Sequence, residues 1–257
     1  MAIEDFGLIV PTLGLRPDYL RESIQSAVDA QVGQIVIVAP SPDPIRDFVK
    51  PGLMTYVEDP KRGLAAAINA GESALSERTK YFNWLGDDDK LMKDSVVSAL
   101  KVSGSGVSFV FGNCEYIDHL GAPFLKIRSG RYALTLMRFG PDLVPQPGAV
   151  INRAAFNRVG RLDESLKWAF DLDLFIRLSK DSQPKYIDMT LAQFRWHAGS
   201  LTAGQRRGSI SESVAVRRQH LSPVLRAVSP AWEVPGQLLS AAAGWRLNKK
   251  VGALPNH

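Results

Sequence analysis

Cysteine is nearly absent from this 257-residue chain: Cys114 is the only one. An internal disulfide is therefore excluded, and nothing argues for an oxidising compartment. No apolar run is long enough to span a bilayer. The opening Met1-Ala2-Ile3-Glu4-Asp5 has no basic stretch of the kind that begins a secretory signal, so a cytoplasmic protein is expected, at most peripheral at the inner face of a membrane. Internal repeats and low-complexity segments are lacking too. A length of 257 residues suits one substantial core with a small appendage.

The net charge of +5 and the pI near 9.3 invite a nucleic-acid reading. The distribution of charge argues against it. From Ser200 onward, eight Arg and Lys face only Glu212 and Glu233, so that segment carries +6 and the first 199 residues sum to about −1. The body has no basic, aromatic-interleaved face, and no nucleic-acid partner is expected. The excess belongs to the tail. There, Trp232, Leu238, Leu239, Ala242 and Trp245 precede Arg246, Lys249 and Lys250. This pattern fits either an interfacial helix on an anionic membrane or a helix packed on the core or on a second subunit.

Strands and helices alternate along the first ninety residues. Leu8-Ile9-Val10-Pro11-Thr12 is a short strand running into a loop. Leu20, Ile24, Ala27 and Val28 mark one face of a helix over Tyr19–Gln31. Gln34–Val38 and Met54–Val57 read as strands, with an Ala-rich helix from Gly63 to Ser76 after them. Such alternation implies a largely parallel sheet covered on both faces. Farther on, the pattern predicts a helix capped by Asp94, a strand over Val107–Phe111, helices over Phe156–Val159 and Asp171–Lys180, and a strand over Tyr186–Met189. The C-terminal segment reads as helical, punctuated by Pro223, Pro230 and Pro235.

One feature stands out for chemistry. Tyr81-Phe82-Asn83-Trp84-Leu85 reads as a buried strand, and Gly86 leads from it into Asp87-Asp88-Asp89. Carboxylates are thus delivered to the carboxyl edge of a sheet, where open α/β sheets bind ligands. Hard oxygen donors there suit Mg²⁺ or Mn²⁺ carrying a diphosphate. The competing reading is a solvated acidic turn before the next helix.

Further motifs follow in order. Gly63-Leu64-Ala65-Ala66-Ala67-Ile68-Asn69 precedes the carboxylates. After them come Phe111-Gly112-Asn113-Cys114-Glu115-Tyr116-Ile117-Asp118 and Pro145-Gln146-Pro147-Gly148. The last pieces are Val159-Gly160-Arg161-Leu162-Asp163-Glu164, Ala169-Phe170-Asp171-Leu172-Asp173, and Phe194-Arg195-Trp196-His197-Ala198-Gly199-Ser200. From about Leu8 to Thr202 this series resembles the family 2 glycosyltransferases, inverting enzymes of the GT-A fold. Four places depart from that family's pattern. Gly86 stands where its first Asp is usual, Ile68 where an Arg often precedes the Asn, Phe170 where a Glu is usual, and Ala39-Pro40-Ser41 where an Asp usually ends the second strand.

The resemblance implies a GT-A domain over residues 1–205, a mixed, mainly parallel sheet flanked by helices; charge and pattern add a basic helical extension over 206–257. It implies transfer of a sugar from a nucleotide-diphosphate donor, UDP by default with dTDP and GDP open, to a hydroxyl of a surface polysaccharide or lipid-linked glycan. Asp171 would be the general base; the competing role is stabilising a helix dipole. Asp173, four residues before Arg177, reads as a same-face ion pair instead. Asp88 and His197 would hold the metal. Pro11, Thr12, Asp43 and Asp87 would contact the base or ribose, and Arg195 the phosphates. Trp168 and Gln146 would touch sugar or acceptor. Two other classes stay open: a nucleotidyltransferase, and a sugar-binding or scaffold module without turnover.

Overall fold

The computed structural model describes residues 3–46, 52–140, 143–196, 206–238 and 242. Strands β1 (Ile3–Pro11), β2 (Val32–Ala39), β3 (Met54–Glu58) and β4 (Tyr81–Trp84) are mutually parallel and lie in the order 3-2-1-4. Helices α1 (Pro17–Asp29) and α2 (Leu64–Ser73) join them. The sheet grows past β4 through β8 (Val150–Asn152), β6 (Phe109–Ile117), β9 (Lys185–Arg195) and β5 (Lys90–Leu91), with β7 (Pro123–Ile127) beside β6. β8 runs antiparallel to both neighbours, whereas β6 and β9 are parallel. The expected mixed, mainly parallel sheet is therefore present.

Period-2 alternation assigns the core to both faces. In β1 and β2, Ile9, Val36 and Val38 face one side, where α2, α5 (Arg153–Arg158) and α6 (Phe170–Asp181) cover them. Leu8, Val10, Ile35 and Ile37 face the other, under α1 and α3 (Ser95–Val102). α4 (Ala133–Phe139) closes the first side through Ala133 and Met137.

The C-terminal segment supplies α7 (Arg206–His220), α8 (Pro223–Val228) and a further helix, α9, over 230–238. α7 is not a loose appendage. Its Val216 is fully buried in the same cluster as α6, and Arg217 Nε donates to the Met137 carbonyl at 2.8 Å. Pro223 starts a helix, whereas Pro235 lies inside one. Trp232 meets Phe139 edge-on, with ring centroids 6.0 Å apart. Of that C-terminal apolar and basic pattern, Leu239, Trp245, Arg246, Lys249 and Lys250 lie outside the described residues. No helix among the described residues is long and apolar enough to cross a membrane.

Candidate active site

The strand order 3-2-1-4 makes a switch point. The chain moves outward from β1 to β3, then returns to the other side of β1 for β4. In open α/β sheets the loops leaving the two strands at such a point bound a ligand-binding crevice at the carboxyl ends. Pro11 and Thr12 end β1; Asp87, Asp88 and Asp89 follow β4. The Thr12 hydroxyl bridges the two, donating to Asp87 Oδ2 at 2.5 Å while accepting the Gly14 N–H at 2.9 Å. Arg16, just beyond, pairs with Asp88 Oδ2 at 3.3 Å.

Gly86 has a reason more specific than turning the strand end, since its φ is not in the left-handed region. A Cβ there would lie 2.8 Å from Asp88 Oδ1 and 3.0 Å from Asp89 Oδ2. Both carboxylates fold back over the glycine, and a side chain at 86 would displace them.

The three aspartates differ in environment. Asp89 is buried and accepts the Arg195 N–H at 2.8 Å. Burial, and then the negative charge of Asp88, push its carboxyl well above the usual range. Asp87 and Asp88 are less buried, one bonded to Thr12 and the other to Arg16. Arg195 was expected on phosphate oxygens, but it is 1% exposed. Its guanidinium donates to the carbonyls of Asp88, Asp118 and His119 and to Glu22 Oε2 at 2.6 Å, and stacks over the Tyr19 ring at 4.3 Å. It braces the carboxylate loop from beneath, because burial leaves a guanidinium stable only when its donors are matched inside the protein.

Gln146 is likewise spent internally. Its amide donates to Asn83 Oδ1 at 2.9 Å and to the Trp84 carbonyl at 2.7 Å, holding the end of β4 rather than presenting itself to a sugar. Asp43 lies on a single 3₁₀ turn after β2, 75% exposed and paired with Arg46 at 2.7 Å. The pairing is local and leaves the crevice uninvolved.

Asp171 enters from α6. The Trp84 and Phe170 rings meet at 6.3 Å, which sets the start of α6 beside the end of β4. Its carboxylate accepts the Leu172 N–H at 2.8 Å. Asp173 pairs with Arg177 at 2.6 Å, as the four-residue spacing implies, and also meets His220 Nε2 at 2.8 Å. Trp168 sits in the turn before α6, its ring against Gly208. His197 lies outside the described residues.

A residue whose part was not legible in sequence is Glu212, whose carboxylate holds the backbone of 167–169. Asn69, by contrast, joins two motifs read separately. Its side chain exchanges hydrogen bonds with Leu162, accepting its N–H at 3.2 Å and donating to its carbonyl at 3.0 Å.

Among the described residues no three His, Cys, Asp or Glu side chains gather as a metal cage. Mg²⁺-type sites commonly use one or two carboxylates and complete their shell with phosphate oxygens and water. Adjacent Asp87 and Asp88 at the crevice provide hard oxygen donors of that kind, so the residues present fit such an ion.

No protein-family model matches the chain. It is 24% identical over 200 residues to an uncharacterized glycosyltransferase of Rickettsia prowazekii, covering 72% of this chain and 62% of that protein. Over 199 residues it is 24% identical to another from Rickettsia bellii, covering 70% of this chain and 28% of that protein. The chain thus spans less than two thirds of the length of these curated relatives. Among solved structures, S. aureus TarS 1–349 in complex with UDP-GlcNAc matches with a TM-score of 0.63 at 11% identity, covering 88% of this chain and 69% of that chain. GalNAc-T7 with UDP, GalNAc and Mn²⁺ matches with 0.61 at 10%, covering 83% and 47%. The fold is accordingly the GT-A-like mixed α/β sheet of these glycosyltransferases.

Proposed function

We propose that the chain is an inverting glycosyltransferase of the family 2 type, taking a sugar from a nucleotide-diphosphate donor, UDP by default. The observation that carries this is the crevice between β1 and β4, where Thr12, Asp87 and Asp88 converge and the start of α6 is held alongside through Trp84 and Phe170. Curated relatives named as glycosyltransferases, and neighbours solved with UDP-GlcNAc or with UDP and Mn²⁺, support the same reading.

In this reading Thr12, Asp87 and the end of β1 at Pro11 receive the nucleoside. Asp88, with His197, would hold Mn²⁺ or Mg²⁺, which when bound offsets negative charge gathering on the departing diphosphate. Asp171 accepts the proton of the acceptor hydroxyl as its oxygen bonds to the anomeric carbon. The bond from that carbon to the diphosphate oxygen breaks in the same step, the nucleoside diphosphate leaves with the bonding pair, and the anomeric centre inverts. The acceptor, a surface polysaccharide or lipid-linked glycan met at the inner face of a membrane, follows from the family resemblance.

Calorimetric titration of UDP, dTDP and GDP, each with Mn²⁺ and with EDTA, tests this on the wild type and on Asp88→Ala. Metal-dependent binding of one nucleotide, lost in the variant, is the expected result. Absence of binding by all three would overturn it.

A further inference from the structure

α6 begins without a capping side chain. Its N-cap is Ala169, which has no oxygen for the unsatisfied N–H groups of a helix start. The backbone leading into it is held from elsewhere. Glu212 of α7 accepts the N–H groups of Lys167, Trp168 and Ala169 at 3.0, 2.6 and 2.7 Å. These are charge-assisted bonds, and they place a negative group at the positive end of the α6 dipole. Ala169 is pinned twice, because its carbonyl also accepts the Asp173 N–H at 3.0 Å. Asp171 lies two residues on.

Glu212 belongs to a stripe. Gly208, Glu212, Val216 and His220 recur every four residues and so share one face of α7. Each meets α6 or its approach. Gly208 lies so close to the Trp168 ring that an added Cβ would stand 2.7 Å from Cη2. Val216 is buried in the α6 core, and His220 reaches Asp173. α7 thus lies along α6 as a splint whose polar member grips the turn before Asp171.

We propose that Glu212 is a positioning residue for Asp171, fixing from α7 where the carboxylate stands relative to the end of β4. This rests on the reading of Asp171 as the base. Among the described residues the Glu212 carboxylate bonds to backbone N–H groups, so its effect falls on geometry, and a displacement of about 1 Å in a catalytic group costs on the order of a hundredfold in rate.

The test uses the full chain with Glu212→Ala and Glu212→Gln. Arg217→Ala is the control, since it loosens α7 at Met137, away from residues 167–169. Three quantities are measured: amide hydrogen exchange at Lys167, Trp168 and Ala169, UDP affinity, and kcat with KM. In Glu212→Ala, exchange at these amides accelerates by about tenfold or more. UDP affinity stays within about threefold, and kcat falls by about ten- to a hundredfold. Glu212→Gln, which keeps an acceptor oxygen without the charge, falls between and carries the comparison if the alanine variant does not fold. Unaltered exchange overturns the proposal, as does faster exchange with wild-type kcat. Equal losses in Glu212→Ala and Arg217→Ala overturn it too, by showing a general loosening. A wild type that binds no nucleotide sinks the functional reading instead, and the exchange data still report whether Glu212 holds the segment.

Discussion

Thr12 and Asp87, 75 residues apart in sequence, are joined by a 2.5 Å hydrogen bond across the crevice between β1 and β4. The hydroxyl is buried and works in both directions, since it also accepts from Gly14. Thr12→Val keeps the shape and removes both functions. We expect a stability loss of about 1 kcal/mol and weaker nucleotide binding, with Thr12→Ser restoring both. Denaturant unfolding and calorimetry of the two variants check this.

Asp171→Asn preserves the volume at the start of α6 but removes the basic oxygen. A general base contributes about 10² to 10⁴ in rate, so kcat should fall by that order while UDP affinity is retained. Steady-state kinetics with calorimetry decides. A role limited to the helix dipole would cost about 0.3–1 kcal/mol of stability and leave kcat intact.

Arg195 separates support from substrate contact. Its guanidinium is buried and donates to three backbone carbonyls and to the half-exposed Glu22. Each buried acceptor left unmatched costs about 1–3 kcal/mol, so Arg195→Met should lower the urea midpoint sharply. Arg195→Lys should not rescue it, because an ammonium cannot span the same fork of acceptors. Wild-type stability in both variants, with only nucleotide affinity reduced, would return Arg195 to the phosphate role.

The Asp173 cluster makes stability depend on acid. Burial alone would raise this carboxyl, but hydrogen bonds from His220 and Arg177 outweigh it and hold the group below its ordinary range. A folded-state value below the unfolded one, about 3.9, gives stability that is fully present above that pH. It is lost as pH falls through the folded-state value. Wild type should therefore lose unfolding free energy more steeply than Asp173→Asn below about pH 4. Urea titrations at several acidic pH values read the two slopes directly.

Where periodicity is strong, sequence and structure agree closely. α1 was expected over 19–31 and spans Pro17–Asp29; the Ala-rich helix, expected over 63–76, spans Leu64–Ser73. β6 and β9 run well past their apolar stretches, to Ile117 and Arg195. Polar partners across neighbouring strands explain the extension: Gln193 donates to Glu115 at 2.7 Å and Asn113 to Asp188 at 2.8 Å. β8, three residues long, carries no period at all and exists through pairing with β4 and β6. Asp94 occupies an N-cap position as its residue type suggests, though without a capping side-chain bond.

The sequence by itself determined the strand–helix alternation, the delivery of three carboxylates to the end of a strand, and the Asp173–Arg177 pair. Each of these depends on residues within a few positions of one another, where backbone period alone sets direction. Only the tertiary structure decided that Arg195 is a buried brace, that Gly86 makes room for Asp88 and Asp89, and that Glu212 grips the approach to Asp171. Arg195 meets Asp89 across 106 residues, and Glu212 meets Trp168 across 44. Such contacts are set by how separately formed elements pack, and no local spacing encodes them.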